Sequence, residues 1–269
     1  MNRRGRDRQP ESARGSRPYE GLQAVEVLSL SHISFSFGAI EALRSVSLSV
    51  RGPALIGLVG DNGSGKTTLL RLLSGELRPN SGVVKMLGEQ RFFRRPADAI
   101  RAGVAFVPQD DAVCADLSIA ENLMLGQEAI TRILGIPFIR RAACKHTAKQ
   151  TLSLLRKDFP SVTRLAMRLS GGERKVLAIA KALLRYPKIL LLDEPTNSLG
   201  SHQRTTFFEN LRKEVERGVT VIFSTHRLNE LREVATSVIA LRQGRLAAVQ
   251  SIGDLTDAEL LQLLSGAEG

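Results

Sequence analysis

The chain has little with which to staple itself and no segment suited to spanning a bilayer. Its 269 residues include only two cysteines, Cys114 and Cys144. That is too few for a disulfide framework and fits a reducing compartment. No run of about 20 apolar residues occurs, so the chain is not expected to cross a membrane unaided, although it can still lie against one. Arg3, Arg4, Arg6 and Arg8 have no apolar run behind them, which is not the pattern of a secretory signal. No internal repeat is discernible. Acidic residues are the scarcer charge: 27 Asp and Glu against 38 Lys and Arg give a net charge of +11. This balance favours an anionic partner (nucleic acid, a nucleotide or an acidic membrane face) without choosing among them. The apolar residues, 43% of the chain, can fill a real core. The length suits one α/β domain with a subdomain, or two small domains.

Residues 1–24 begin in Arg, Ser, Gly and Pro with almost nothing to bury, and are expected to form a disordered basic tail. Ordered structure is expected from Val25. Val25–Phe37 alternates as strands do, as does 46–50 before Gly52-Pro53. Residues 54–59 are apolar apart from glycine, the look of a strand buried on both faces. A helix is predicted through Leu69, Leu70, Leu72 and Leu73, followed by a turn at Pro79-Asn80-Ser81-Gly82 and a strand at 83–87. Val104–Val107 is another buried-strand candidate, ended at Pro108. From 118 to 167 the pattern is helical: Ile119, Leu123 and Leu125, then Ala148, Leu152, Leu155 and Phe159. Gly135-Ile136-Pro137 divides the stretch into at least two helices, and no strand is expected within it. Ile189–Leu192, 220–223 and 238–241 are further strand candidates separated by helical segments, the alternation of a largely parallel sheet. Thr256 and Glu259 form a candidate capping box before a last helix.

The strongest chemical signal is Gly60-Asp61-Asn62-Gly63-Ser64-Gly65-Lys66-Thr67-Thr68. It fits G-x-x-x-x-G-K-[ST] between a buried strand and a helix, the context the motif requires. The glycines let backbone N–H groups converge on phosphate oxygens, and the helix start adds unpaired donors. Lys66 can reach the outer phosphates and the Thr67 hydroxyl can ligate Mg²⁺. These residues predict a nucleoside-triphosphate site. Asp193 and Glu194 follow the apolar run Ile189–Leu192. Taken singly they could be a solvated acidic pair. Beside the lysine loop they suit a metal ligand (Asp193) and a general base for an attacking water (Glu194). Gln109 and His226 also end apolar runs. Each could be an ordinary loop residue, but glutamine suits sensing of metal and water, and imidazole suits a γ-phosphate. Phe37 could be core or could stack on an adenine.

Leu169-Ser170-Gly171-Gly172-Glu173, placed after Lys66 and Gln109 and before Asp193, makes the combination specific. Over about 27–250 the chain resembles an ATP-binding cassette ATPase. The resemblance implies an α/β P-loop nucleoside-triphosphate hydrolase with a mostly parallel core sheet, an antiparallel β subdomain and a helical subdomain inserted at about 110–168. The cassette is then expected over 25–250, with a C-terminal helix and tail at 251–269. The resemblance also implies that Ser170 and Gly172, with Gly171 between them, face the γ-phosphate held by an opposite subunit, so that two cassettes enclose two ATP molecules. It implies further that Glu194 is the catalytic carboxylate, His226 the switch histidine and Phe37 the adenine-stacking aromatic. Mg²⁺ would be held through Thr67, Gln109 and Asp193. Where the family often has an aspartate after leucine in the loop following the glutamate, this chain has Gly200.

Three segments are similar to ribose- and monosaccharide-type import ATPases: Phe37-Gly38-Ala39-Ile40-Glu41-Ala42-Leu43, the run from Arg101 to Gln109, and the run from Leu117 to Gly126. The implied setting is the cytoplasmic face of a membrane. There the chain would be peripheral, bound to an integral permease and to a second cassette in a homodimer or heterodimer. An exported solute-binding protein would be an indirect partner. The alternatives are a soluble cassette acting on nucleic acid or the ribosome, which the +11 charge favours and the single cassette disfavours, and the ATPase of an exporter. On balance the resemblance argues against nucleic acid.

Overall fold

The computed structural model describes residues 25–91, 93–110, 113–133, 136–154 and 161–265. The expected basic tail, the break residue Gly135, and Leu155 and Phe159 of the helical pattern lie outside these. In chain order, β1 (Val25–Phe37), β2 (Ile40–Gly52) and β3 (Leu55–Val59) precede α1 (Lys66–Leu73). Then come β4 (Ser81–Met86), β5 (Glu89–Gln90), α2 (Pro96–Arg101), β6 (Val104–Val107) and α3 (Ile119–Met124). After these, β7 (Ile130–Ile133), β8 (Ile136–Ile139), α4 (Arg141–Leu154) and α5 (Gly171–Leu183) lead to β9 (Ile189–Leu192) and α6 (Ser201–Glu216). The chain continues through β10 (Thr220–Ser224), α7 (Leu228–Val234), β11 (Ser237–Arg242), β12 (Arg245–Ser251) and α8 (Asp257–Ser265).

Two sheets carry the architecture. One is antiparallel, in the order β2-β1-β4-β5; the other runs β12-β11-β3-β10-β9-β6, parallel except for β12. The period-two alternation of β3 divides its side chains between two cores. Ile56 and Leu58 pack with Leu69, Leu70, Leu72 and Leu73 of α1 and with the antiparallel sheet. Leu55 and Val59 pack on the other face with Ile179, Phe208, Leu211 and Leu231. Helix α1 thus sits between the two sheets, which anchors the loop that feeds it.

A third core joins Ile119, Leu123, Ala148, Leu152, Val162, Ala166, Leu169 and Leu177, so α3, α4 and the start of α5 form a helical subdomain with its own interior. One expectation fails here. Between α3 and α4 the chain forms an antiparallel hairpin, with Ile130 paired to Ile139 and Arg132 to Pro137. A helical pattern with no strand is expected over this stretch, but the β-branched Ile130, Thr131, Ile133, Ile136 and Ile139 prefer extended backbone. Pro137 is tolerated because each strand of a two-stranded ribbon is an edge. The last helix starts as its motif predicts: Thr256 N–H donates to Glu259 Oε2 at 2.7 Å, and Glu259 N–H donates back to Thr256 Oγ1 at 3.3 Å.

Candidate active site

The C-terminal ends of four adjacent parallel strands meet along one edge. Strand β3 delivers the Gly60–Thr68 loop, β10 delivers Thr225 and His226, β9 delivers Asp193 and Glu194, and β6 delivers Pro108 and Gln109. In open α/β sheets this is the edge where ligands bind. The acidic strand is not the immediate neighbour of the phosphate-loop strand, because β10 lies between them. The end of β10, which leads into His226, therefore lies between the strand ends that deliver the lysine loop and the carboxylates.

The loop's shape follows from its glycines. Gly60, Gly63 and Gly65 have φ of 140°, 78° and 104°, a region that L side chains rarely adopt. A Cβ on Gly60 would lie 2.1 Å from the Leu241 carbonyl oxygen. Gly60→Ala is therefore expected to lose roughly 1–3 kcal/mol or more of stability, measurable by urea unfolding. Gly65 caps α1 in a left-handed conformation. This helix has neither a side-chain cap nor an acidic residue in its first turn, whereas α3 and α5 both carry complete capping boxes. A helix start left with unpaired N–H groups and no local negative charge is suited to an outside anion.

Lys66 is buried, and its Nζ donates to the carbonyls of Gly60 at 2.7 Å and Asp61 at 2.9 Å. Burial holds its pKa below the usual lysine value, opposed by the charges of Glu194, Asp193 and Asp61. That coupling places both carboxylates within electrostatic reach of the ammonium despite the intervening strand. Thr67 is exposed and Thr68 half-buried at the head of α1; Asp61, Asn62 and Gly63 line the open side of the loop.

Asp193 is 1% exposed. Its N–H donates to the Val107 carbonyl at 3.0 Å, which ties β9 to β6 next to Gln109. Its Oδ1 accepts from Ser224 Oγ at 2.6 Å, and Ser224 Oγ accepts from Glu194 N–H at 2.8 Å. Asp193 Oδ2 and Ser64 Oγ are buried without a hydrogen-bond partner. Unsatisfied buried oxygens at a phosphate loop fit a bound cation and phosphate. Among the described residues no group of three or more His, Cys, Asp or Glu could hold a metal. A hard divalent ion here would thus rely on one carboxylate, hydroxyl and amide oxygens, and phosphate, the ligand set Mg²⁺ accepts.

Glu194 stands at φ 41°, a strained conformation for a residue with a Cβ and one found where surrounding structure enforces it. Its carboxylate accepts from Asn197 Nδ2, and its Oε1 lies 3.8 Å from His226 Nδ1. The His226 side chain is 56% exposed. Gln109 is exposed at the head of its loop, whose backbone is held by the buried Lys175: Nζ donates to the carbonyls of Pro108 at 2.9 Å and Gln109 at 2.8 Å. Phe37 closes the β1–β2 hairpin, edge-on to Phe35 with ring centroids 4.8 Å apart, and is 47% exposed. The same hairpin touches the phosphate loop, since a Cβ on Gly65 would lie 2.8 Å from the Ala42 carbonyl oxygen.

Ser170, Gly171 and Gly172 open α5. Ser170 Oγ donates to Glu173 Oε2 at 2.9 Å and accepts from Glu173 N–H at 3.3 Å. A Cβ on Gly171 or Gly172 would meet Ser198, Leu199 and Gln203. This segment therefore abuts the loop that follows Glu194, and at Gly200 the Gln203 side chain accepts from the backbone N–H at 3.1 Å. Sequence reasoning missed Ser224, Asn197 and Lys175. Ser224 was legible as the last residue of its strand. Lys175 carried no signal, because its partners lie 66 and 67 residues away.

A family model described as ABC transporter matches residues 43–197. A putative ribose/galactose/methyl galactoside import ATP-binding protein of Agrobacterium fabrum is 34% identical over 244 residues, covering 91% of this chain and 48% of the relative. A ribose import ATP-binding protein of Streptomyces avermitilis is 36% identical over 242 residues, covering 89% and 47%. The chain thus spans about half the length of these relatives. Among solved structures, a nucleotide-free ATP-binding cassette from an ABC transporter superposes with TM-score 0.75 at 25% identity, covering 86% of this chain and 93% of that one. A bacterial Atm1-family ABC exporter with ATP bound superposes with TM-score 0.69 at 25% identity, covering 91% and 41%.

Proposed function

The chain belongs to the ABC transporter family of ATP-binding cassettes, and from that premise we propose that it binds and hydrolyses ATP to power monosaccharide import through a membrane permease. The observation that carries the hydrolytic half is the row of strand ends. An uncapped, glycine-shaped helix start with Lys66 lies within electrostatic reach of Asp193 and Glu194, with the end of β10 between their strands. The import half rests on the sugar-import relatives named above.

In this reading the loop N–H groups receive the phosphates, and Lys66 exchanges its carbonyl partners for phosphate oxygens. Thr67, Asp193 and Gln109 would hold Mg²⁺, which neutralises phosphate charge when bound. Glu194 accepts the proton of the attacking water, while His226 contacts the γ-phosphate. Phe37 stacks on the adenine. Ser170 and Gly172 of a second copy close the site from the far side, so each ATP is held by two chains. Closure excludes all but the attacking water, and opening after hydrolysis is transmitted through the helical subdomain.

No helix among the described residues is long and apolar enough to cross a membrane. Likeness to the sugar-import relatives supplies the partners of this reading: an integral permease, with this chain peripheral on its cytoplasmic face, and an exported binding protein delivering solute. Pull-down from detergent-solubilised membranes is expected to recover an integral permease. In reconstituted vesicles the complex should take up a monosaccharide only when ATP is supplied on the cassette side. Recovery of RNA or ribosomes that survives high salt, with no permease, would overturn the transport reading. ATP-driven efflux would overturn its direction.

A further inference from the structure

One buried carboxylate plays no part in the site as described so far. Glu230, in α7, is 2% exposed. Its Oε1 accepts from Thr196 Oγ1 at 2.8 Å and its Oε2 accepts from Thr225 Oγ1 at 2.6 Å. The Arg227 guanidinium lies 3.5 Å from Oε1 and offsets the charge. Both threonines are themselves buried, at 2% and 3% exposure. Thr225 Oγ1 also accepts from Arg227 N–H at 3.1 Å, so its hydroxyl is engaged both as donor and as acceptor.

The positions of the two threonines give this carboxylate its meaning. Thr196 directly precedes Asn197, which donates to Glu194. Thr225 directly precedes His226, whose Nδ1 faces the other oxygen of Glu194 at 3.8 Å. The two loops leave different strands, β9 and β10. Each carries one neighbour of Glu194, and each ends its adjacent hydroxyl on the same buried side chain. A carboxylate suits this place because it offers two acceptor oxygens to two O–H donors arriving from opposite loops. An apolar residue would leave both hydroxyls buried and unpaired.

We propose that Glu230 is a positioning residue for ATP hydrolysis: through Thr196 and Thr225 it fixes the spacing between the loop of Glu194 and Asn197 and the loop of His226. The proposal rests on the hydrolytic reading above. It assigns Glu230 no contact with nucleotide. Removing it should therefore change turnover and leave binding alone, whereas a side chain that only stabilises the fold would not separate the two.

The test uses the full chain, with a fluorescent ATP analogue titration for Kd and phosphate release for kcat. Glu230→Ala is expected to lower kcat about tenfold or more, since small misplacements of catalytic groups have effects up to about 10²-fold, with Kd within about twofold of wild type. Thr196→Val combined with Thr225→Val should reproduce that loss. Adding Glu230→Ala to this pair should change kcat by less than about twofold, because groups acting as one unit are not additive. Glu230→Gln should recover most of the activity: the amide oxygen accepts from one threonine, and the NH₂ donates to the other hydroxyl. Wild-type kcat in Glu230→Ala overturns the proposal, as does a kcat loss that multiplies fully with that of the threonine pair. Should Glu230→Ala fail to fold, each single threonine variant carries the test. Several-fold lower kcat at unchanged Kd supports the proposal, and wild-type kcat in both overturns it. A wild-type chain that binds ATP without hydrolysing it, alone or with its permease, would overturn the hydrolytic reading itself. Full hydrolysis by wild type and Glu230→Ala alike overturns only this inference.

Discussion

Glu194→Gln is expected to bind ATP normally, hold two chains closed on it, and release phosphate about 10² to 10⁴-fold more slowly than wild type, the range attributed to a positioned general base. The substitution preserves length, shape and an amide oxygen able to accept from Asn197 Nδ2. It removes the group that takes the proton from water. The backbone at φ 41° and the Ser224 bridge to Asp193 depend on main chain and a different side chain, so the site should keep its form. A rate loss of this size corresponds to about 2.7–5.5 kcal/mol in the barrier. Gel filtration of the variant with Mg-ATP should show a species of twice the mass. Full-rate steady-state hydrolysis would remove Glu194 from the role of base.

Lys66→Ala should act on binding rather than on the chemical step. The ammonium is buried and its pKa is depressed chiefly by that burial, which means that the folded chain holds a desolvated charge against its own solvation preference. Two loop carbonyls and three carboxylates compensate in part. Removing the charge relieves desolvation while leaving Gly60 and Asp61 with less to hold them, so thermal stability should change little. Affinity should fall steeply. A hydrogen bond from a charged donor contributes about 1.5–3 kcal/mol, which predicts roughly 10- to 150-fold weaker nucleotide binding in a fluorescence titration. Unchanged affinity, or an affinity loss matched by a comparable loss of stability, would contradict the assignment.

The parts of this molecule that were legible in sequence are those fixed by local chemistry. A strand buried on both faces shows as an unbroken apolar run, and Ile189–Leu192 shows this without ambiguity. Gly60, Gly63 and Gly65 declared a loop because few other residues accept such φ values. The capping boxes at Ser118, Ser170 and Thr256 are spelled by residues three apart. The hairpin between α3 and α4 was hidden because isoleucines at 130, 133, 136 and 139 satisfy a helical spacing of three as readily as they pair across a ribbon. Strand order was invisible for another reason. Nothing in the residues of β9 or β3 says that β10 will come between them; the order is settled by crossover connections between strands far apart in sequence. The same holds for Glu230 and Lys175. Each is an unremarkable helical charge in sequence, and only the fold brings it to the loops it holds.

In the proposed mechanism each hydrolytic site is built from two chains, with the phosphate loop of one facing Ser170 and Gly172 of the other. The direct measurement is phosphate release per milligram of chain at saturating Mg-ATP across a wide range of chain concentration. If the site needs two copies, specific activity rises with concentration and levels off once dimers predominate. A specific activity that stays constant down to concentrations where sedimentation shows only monomer would contradict it.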